Sequence, residues 1–372
     1  MTIKAKYKSD LDTPCLVLDM DVLERNLEIM QSTVDSAGKR IRPHIKTHKC
    51  SSLARKQIEG GAIGVCAAKV SEAAALVEAG LDNILITGPV VTPIKIDKLI
   101  DLLGLCPDLM VVVDHPANIE SLDTALGNRG MSMSVLLDVD VGLNRTGVNP
   151  PDASALADQI VSSTHLHLRG IQAYAGHAQH IQSYEARKQT SHRCLEEAVR
   201  VFREIRARVP TCTIFSASGT GTFDIDLEVA EISELQVGSY VVMDAEYLAI
   251  GSADDGTRFV SFAPALRLLT TVISANHKEF VTVDAGLKSL YKDGAKPQVI
   301  VPQDSAWVYD WFGDEYGRIT STASSELPAL GTVLELVTSH CDPTINLFDR
   351  YHLTRGDEVV GTWPIDLRGC SQ

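Results

Sequence analysis

From residue 13 to about residue 250 the chain alternates short, continuously apolar runs with longer segments whose apolar positions recur every three or four residues. The first run is TPCLVLD (13–19); after it Leu23, Leu27, Met30 and Val34 share one helical face, with Asp21 as a start signal and Gly38 as a stop. RPHIKTHK (42–49) ends a second strand at Lys46, and a helix from Ser51 to about Glu59 closes on a Gly-Gly pair. IGVCAA (63–68), NILITG (83–88), LMVVVD (109–114), VLLDVDVG (135–142) and LRGIQAYAG (168–176) follow, each before a helix-patterned stretch. Runs that are apolar at every position describe strands buried on both faces, which is a parallel sheet covered by helices. With TIFSAS and ELQVGSY as the seventh and eighth strands, the count predicts a closed (β/α)₈ barrel.

Beyond the turn-rich GSADDGT (251–257) the pattern changes. LRLLTTVISA, FVTVDAG, VLELVTSHC and DEVVGTW read as strands separated by turns with little helical signal, which predicts a second, mostly β domain. The expected organisation is a strand segment over 1–20 that packs with the β domain, a barrel over 21–250 and the β domain over 251–372.

Composition narrows the function classes. A chain of 372 residues suits a barrel with an appended smaller domain. Its 45% hydrophobic and 22% charged content describes a folded soluble protein, and no apolar run is long enough to cross a bilayer. The start, MTIKAKYKSD, has lysines without an apolar core or cleavage site behind them, so a cytoplasmic protein is expected. A formal net charge of −14 without a basic block argues against a nucleic-acid partner and for a small-molecule substrate. The eight cysteines lack paired spacing, which suits a reducing compartment and gives no CxxC zinc site.

Candidate chemistry collects at the predicted carboxyl ends of the barrel strands, where active sites of such barrels are built. Lys46, Asp138, Arg145, Tyr174, His180, residues 218–222 and residues 238–240 all fall there. Lys46 lies between two histidines in a basic octapeptide; a cationic field lowers an amine's pKa and fits it to form a Schiff base with pyridoxal phosphate. SGTGT (Ser218, Gly219, Thr220, Gly221, Thr222) can aim backbone N–H groups and hydroxyls at a phosphate, and QVGSY, with Gly238, Ser239 and Tyr240, offers more donors one strand later. In SHCDPT, His340 and Asp342 stand two residues apart, which on an extended segment points both the same way and Cys341 the other. An imidazole and a carboxylate suit a divalent ion with open positions.

TPCLVLD, RPHIKTHK, VCAAKVSEA, LDVDVGLNRTGV, GIQAYAGHAQH, SGTGT, ELQVGSYVVMDAEY, VDAGLKS, SHCDPT and WPIDLRG together resemble the fold-type III pyridoxal-phosphate enzymes of the alanine racemase-like class, and within it the D-threonine aldolase and D-serine dehydratase family. The resemblance runs nearly end to end. It implies Lys46 as the cofactor lysine, Arg145 on the cofactor or substrate side, Tyr174 and His180 at the site with His180 as a base, and His340 and Asp342 as metal ligands. Family dehydratases carry HxC at the last motif; the aspartate here resembles the aldolase branch and implies Mn²⁺ or Mg²⁺ ahead of Zn²⁺. Three positions depart from the family pattern: Tyr316 replaces a histidine in DEYG, Ala217 and Ser218 replace glycines, and His177 stands where a smaller residue is expected and would narrow or recharge the pocket.

The implied activity is a carbon–carbon lyase, a homodimeric aldolase cleaving D-threonine or a similar D-β-hydroxy-α-amino acid to glycine and an aldehyde. D-phenylserine and D-3-hydroxyaspartate satisfy the same chemistry, the latter wanting an extra cation. Competing readings are a D-serine or D-threo-3-hydroxyaspartate dehydratase, a racemase and a non-catalytic pyridoxal-phosphate carrier.

Overall fold

The structure is a computed structural model that describes residues 5–301, 306–322 and 326–372, so the first four residues of the lysine-bearing start lie outside it. The chain forms two compact units. One comprises Met30–Lys46, Leu53–Gly238 and Gly369–Gln372; the other comprises Met1–Ile29, Thr47–Ser52 and Ser239–Arg368.

The first unit is the barrel. After β1 (Cys15–Asp19) and α1 (Met20–Ser36), its strands are β2 (Arg40–Ile41), β3 (Val65–Ala67), β4 (Ile84–Ile86), β5 (Met110–Val113), β6 (Met133–Asp138), β7 (Leu166–Ala173), β8 (Ile214–Ala217) and β9 (Glu234–Leu235). Between them lie α2 (Ser51–Glu59), α3 (Val70–Glu78), α4 (Pro93–Leu105), α5 (Pro116–Arg129), α6 (Ala153–Ser162), α7 (Tyr184–Arg208) and α8 (Phe223–Asp226). The strand order is β2-β9-β8-β7-β6-β5-β4-β3, all parallel. Closure comes from a parallel bridge between His44 and Cys66, with Cys66 N–H donating to Pro43 O at 2.8 Å and Ile45 N–H to Cys66 O at 3.0 Å. The helices bury the expected stripes: α4 covers Ile96, Leu99, Ile100 and Leu103. At the β2–β9 seam Arg42 grips Glu234 with two parallel hydrogen bonds of 3.0 and 3.2 Å and donates to Asn83 O, so the buried guanidinium is fully engaged.

The second unit is a mixed nine-stranded sheet. Its strands are β1 and β10 (Leu266–Ser274), β11 (Phe280–Val283), β12 (Gln298–Val301), β13 (Trp307–Trp311), β14 (Gly317–Ser321), β15 (Val333–Val337), β16 (Arg350–Arg355) and β17 (Glu358–Pro364), in the order β11-β14-β13-β12-β15-β10-β1-β16-β17. β10 also pairs with β11, so six of these strands form a ring. The N-terminal β1 lies antiparallel to β10 and parallel to β16, within the β unit.

The chain passes between units at Gly238 and Ser239, not near residue 250. The reason is hydrogen bonding: after the short α9 (Ala245–Leu248) is set by Asp244, Ala245 N–H donates to Thr338 O at 2.9 Å and the Asp244 carboxylate accepts Cys341 N–H at 3.0 Å. Residues 239–250 therefore belong with the β strands.

Candidate active site

Alternation along the barrel strands sorts the interior into two layers. Cys66, Leu85, Met110, Val112 and Leu136 form one cluster with Ile214 packed against it. Residues from β3 and β8, far apart in strand order, can join one cluster only by pointing into the barrel. Two positions further toward the carboxyl ends, the same inward face is polar. Gln172 Nε2 donates to Asp138 Oδ1 (2.9 Å) and to Thr87 O (3.1 Å), while Gln236 Nε2 donates to Gln172 Oε1 (3.0 Å) and Ser216 Oγ (2.9 Å). Asp138 Oδ2 accepts from Thr146 Oγ1 at 2.9 Å. An apolar floor thus carries a hydrogen-bonded polar layer, the arrangement expected of a barrel that binds a polar ligand at its mouth.

Lys46 follows directly on this layer, in a turn just past the His44 bridge, and is partly buried. Its backbone N–H donates to His44 Nδ1 at 3.4 Å, and His44 Nε2 meets Thr87 Oγ1 at 3.0 Å. Thr87 Oγ1 itself donates to Ala67 O, so in its contact with Thr87 the His44 Nε2 is the donor. The lysine's backbone is therefore tied through one imidazole to the polar layer.

The loop after β8 has the left-handed turn of a glycine-rich nest without its glycine. Ser218 adopts φ 76°, a conformation costing a non-glycine residue roughly 1 kcal/mol. The Gly221 N–H is not directed at a ligand: it donates to Gln179 Oε1 at 2.9 Å. The expected fan of N–H donors is thus reduced at Gly221, because a buried side chain from the neighbouring loop occupies that amide. Gly238 ends the barrel unit, whereas Ser239 and Tyr240 sit in a 3₁₀ turn of the β unit, with the Tyr240 ring packed edge-on against Phe262 at 5.6 Å.

Arg145 is exposed in the loop after β6, and its guanidinium lies 5.7 Å from the centroid of the partly buried Tyr174 ring. Cation–π attraction to Tyr174 ties that loop to the end of β7, and the Thr146–Asp138 hydrogen bond ties it to the end of β6. His180 is partly buried in the loop after β7. His177 is exposed, its Nε2 3.3 Å from Cys194 Sγ on α7. It is thus paired with the outer helix.

In the β unit His340 and Asp342 meet, but not on an extended segment. His340 is the N-cap of α10 (Cys341–Ile345), and Asp342 lies in its first turn. The cause is Asp244, fully buried, whose carboxylate caps the helix at Cys341 N–H; burial pushes its own pKa up. His340 Nε2 stands 3.8 Å from Asp342 Oδ2, and His340 Nδ1 faces Asp293 Oδ2 at 3.1 Å. Two donors each about 2.1 Å from one ion stand roughly 3–4 Å apart, so the pair fits a divalent metal, with Asp293 placed to orient the imidazole. Among the described residues no group of three His, Cys, Asp or Glu side chains is so disposed. Cys341 turns inward, its thiol donating to Met243 O at 3.1 Å; burial and the nearby Asp244 and Asp342 carboxylates push its pKa well up, so it remains a thiol. Tyr316 is 48% exposed, in the turn that follows β13.

Comparison with known proteins agrees with this architecture. Residues 18–246 match the family model "Alanine racemase, N-terminal domain" and residues 265–354 match "Putative serine dehydratase domain". A D-threonine aldolase of Arthrobacter sp is 35% identical over 97% of this chain and 94% of its own length. The chain belongs to the D-threonine aldolase and D-serine dehydratase family of fold-type III pyridoxal-phosphate enzymes. A 3-hydroxy-D-aspartate aldolase of Paracoccus denitrificans (strain Pd 1222) is 34% identical over 97% of this chain and 93% of its own. The crystal structure of D-threonine aldolase from Filomicrobium marinum superposes with a TM-score of 0.93 at 34% identity, covering 100% of both chains. The protein is accordingly a lyase of this family, and no helix among the described residues is long and apolar enough to cross a membrane.

Several residues that build the candidate site carry weak sequence signals. Gln172 and Gln236 are polar interruptions in otherwise apolar strand runs, a signal present in the sequence. Asp293, 47 positions from His340, and Gln179 and Arg187 have no such mark.

Two buried carboxyls in the barrel give a pH dependence. Burial pushes both Asp138 and Asp226 up to about 6, against hydrogen bonds from Gln172 and Thr146 to the first and from Ser191, Thr222 and Ser218 to the second. Each holds its proton more tightly in the folded barrel than in the unfolded chain. The folded state therefore binds more protons between about pH 4 and 6, and stability falls as pH rises through that window. Asp226→Asn is expected to remove its share, on the order of 3 kcal/mol between pH 4 and 7. Urea unfolding at the two pH values checks it: an unchanged pH slope contradicts the assignment.

Proposed function

We propose that this protein cleaves D-β-hydroxy-α-amino acids by a metal-assisted retro-aldol reaction, with D-threonine as the substrate and D-3-hydroxyaspartate as the second reading favoured by the near-equal identity to the Paracoccus enzyme. The observation that carries the aldolase reading is the His340–Asp342 pair, an imidazole with a carboxylate in place of the thiolate that the resemblance attaches to dehydratases.

Pyridoxal phosphate, when bound, supplies an electrophilic carbonyl and a ring that delocalises the electron pair left at the α-carbon. Lys46 would hold it covalently, and Ser218, Gly219 and Thr220 would hold its phosphate. A divalent ion on His340 and Asp342, Mn²⁺ or Mg²⁺ by the hardness of the carboxylate, would lower the pKa of the substrate hydroxyl. His180 takes the proton from that hydroxyl as a general base. The Cα–Cβ bond then breaks, the aldehyde departs with the hydroxyl oxygen, and a proton added at the α-carbon completes glycine. Arg145, stacked on Tyr174, balances charge on the cofactor oxygen or the substrate carboxylate. Eight free thiols support a reducing, cytoplasmic setting, and the resemblance supports a homodimer. Incubation with each candidate substrate, measuring glycine and keto acid separately, tests the reading.

A further inference from the structure

His180 is the proposed base, and the residues on either side of it are both tied to Gly221 of the phosphate loop, Gln179 directly and Ile181 through Arg187. On one side, the Gln179 side chain accepts Gly221 N–H at 2.9 Å and donates to Thr222 Oγ1 at 3.0 Å. On the other, Ile181 O accepts from Arg187 Nη1 at 2.7 Å, while the same guanidinium donates from Nε to Gly221 O at 2.6 Å. The N–H of Gly221 is thus held by the residue before His180, and its C=O by a guanidinium that also holds the residue after it. Gln179 and Arg187 are 1% and 0% exposed, so water does not compete for these bonds.

The glycines of the loop serve this clamp. A Cβ at Gly221 would fall 2.0 Å from Gln179 O, and one at Gly219 would fall 2.6 Å from Gln179 Oε1. At Gly221 the close approach is to backbone of the His180 loop, so glycine is required there irrespective of any phosphate; at Gly219 it is to the end of the Gln179 side chain. From below, Asp226 accepts from Thr222 Oγ1 and Ser191 Oγ at 2.5 Å each, which fixes the Thr222 hydroxyl to accept from Gln179.

We propose that Gln179 and Arg187 are positioning residues that couple the phosphate loop to His180, so that filling the loop sets the imidazole. This inference rests on the proposed cofactor site. Coupling of this kind is reciprocal: if the loop's occupancy orders His180, the clamp in turn strengthens phosphate binding.

The test titrates cofactor-free protein with pyridoxal phosphate, reading affinity by absorbance and the His180 imidazole by NMR, its signal assigned with His180→Gln. In the wild type the His180 signal shifts on saturation. In Gln179→Met and Arg187→Lys the affinity is expected to fall about tenfold or more, and at saturation the His180 shift is lost or halved. Buried Arg187 is the riskier change for folding, and Gln179→Met, of similar volume, decides the matter alone if Arg187→Lys does not fold. A variant that binds within twofold of the wild type and shows the full His180 shift overturns the inference while leaving the cofactor site intact. A wild-type protein that binds no pyridoxal phosphate overturns the site reading itself and this coupling with it.

Discussion

Lys46→Ala is expected to yield a folded protein without turnover, down by roughly 10³-fold or more, which corresponds to a loss of ~4 kcal/mol or more in transition-state stabilisation. Lys46 is partly buried in the turn past the His44 bridge, and its backbone N–H donates to His44 Nδ1, a bond that the substitution leaves in place. The covalent link to pyridoxal phosphate should vanish with the amine. Borohydride reduction followed by peptide mapping checks this: the wild type carries the label on the peptide containing Lys46, and a label retained by the variant would place the attachment elsewhere.

Removing the metal is the second large effect. Chelation, or His340→Ala, is expected to lower turnover about 10²-fold or more while the cofactor absorbance persists, since the ion's proposed ligands stand in the β unit and the cofactor lysine in the barrel unit. Mn²⁺ or Mg²⁺ should restore the chelated enzyme better than Zn²⁺. Asp342→Cys should move the preference toward Zn²⁺, a thiolate being softer than a carboxylate. Full activity after exhaustive chelation would remove the metal role from the His340–Asp342 pair.

The barrel was legible because its strands are apolar at every position, as in LMVVVD, and its helices carry stripes such as that of α4; both periods are local properties of the chain. The geometry at SHCDPT was not. The extended reading of His340 and Asp342 fails because Asp244, nearly a hundred positions earlier, starts a helix at Cys341, and a long-range cap leaves no local pattern. SGTGT was visible as a glycine-rich loop, but the use of its glycines was hidden. Their close approach is to Gln179, a contact that only the packing of β7 and β8 creates. The neighbour of His177 was hidden for a similar cause: Cys194 comes from α7, and motif spacing within one loop says nothing of the helix outside it.

Product identity tests the central claim most directly. Purified protein supplied with pyridoxal phosphate, Mn²⁺ and D-threonine should release glycine and acetaldehyde in equal amounts, with D-3-hydroxyaspartate yielding glycine and glyoxylate by the same bond cleavage. Formation of a keto acid with ammonia, and no glycine, would contradict the account and assign the site to dehydration.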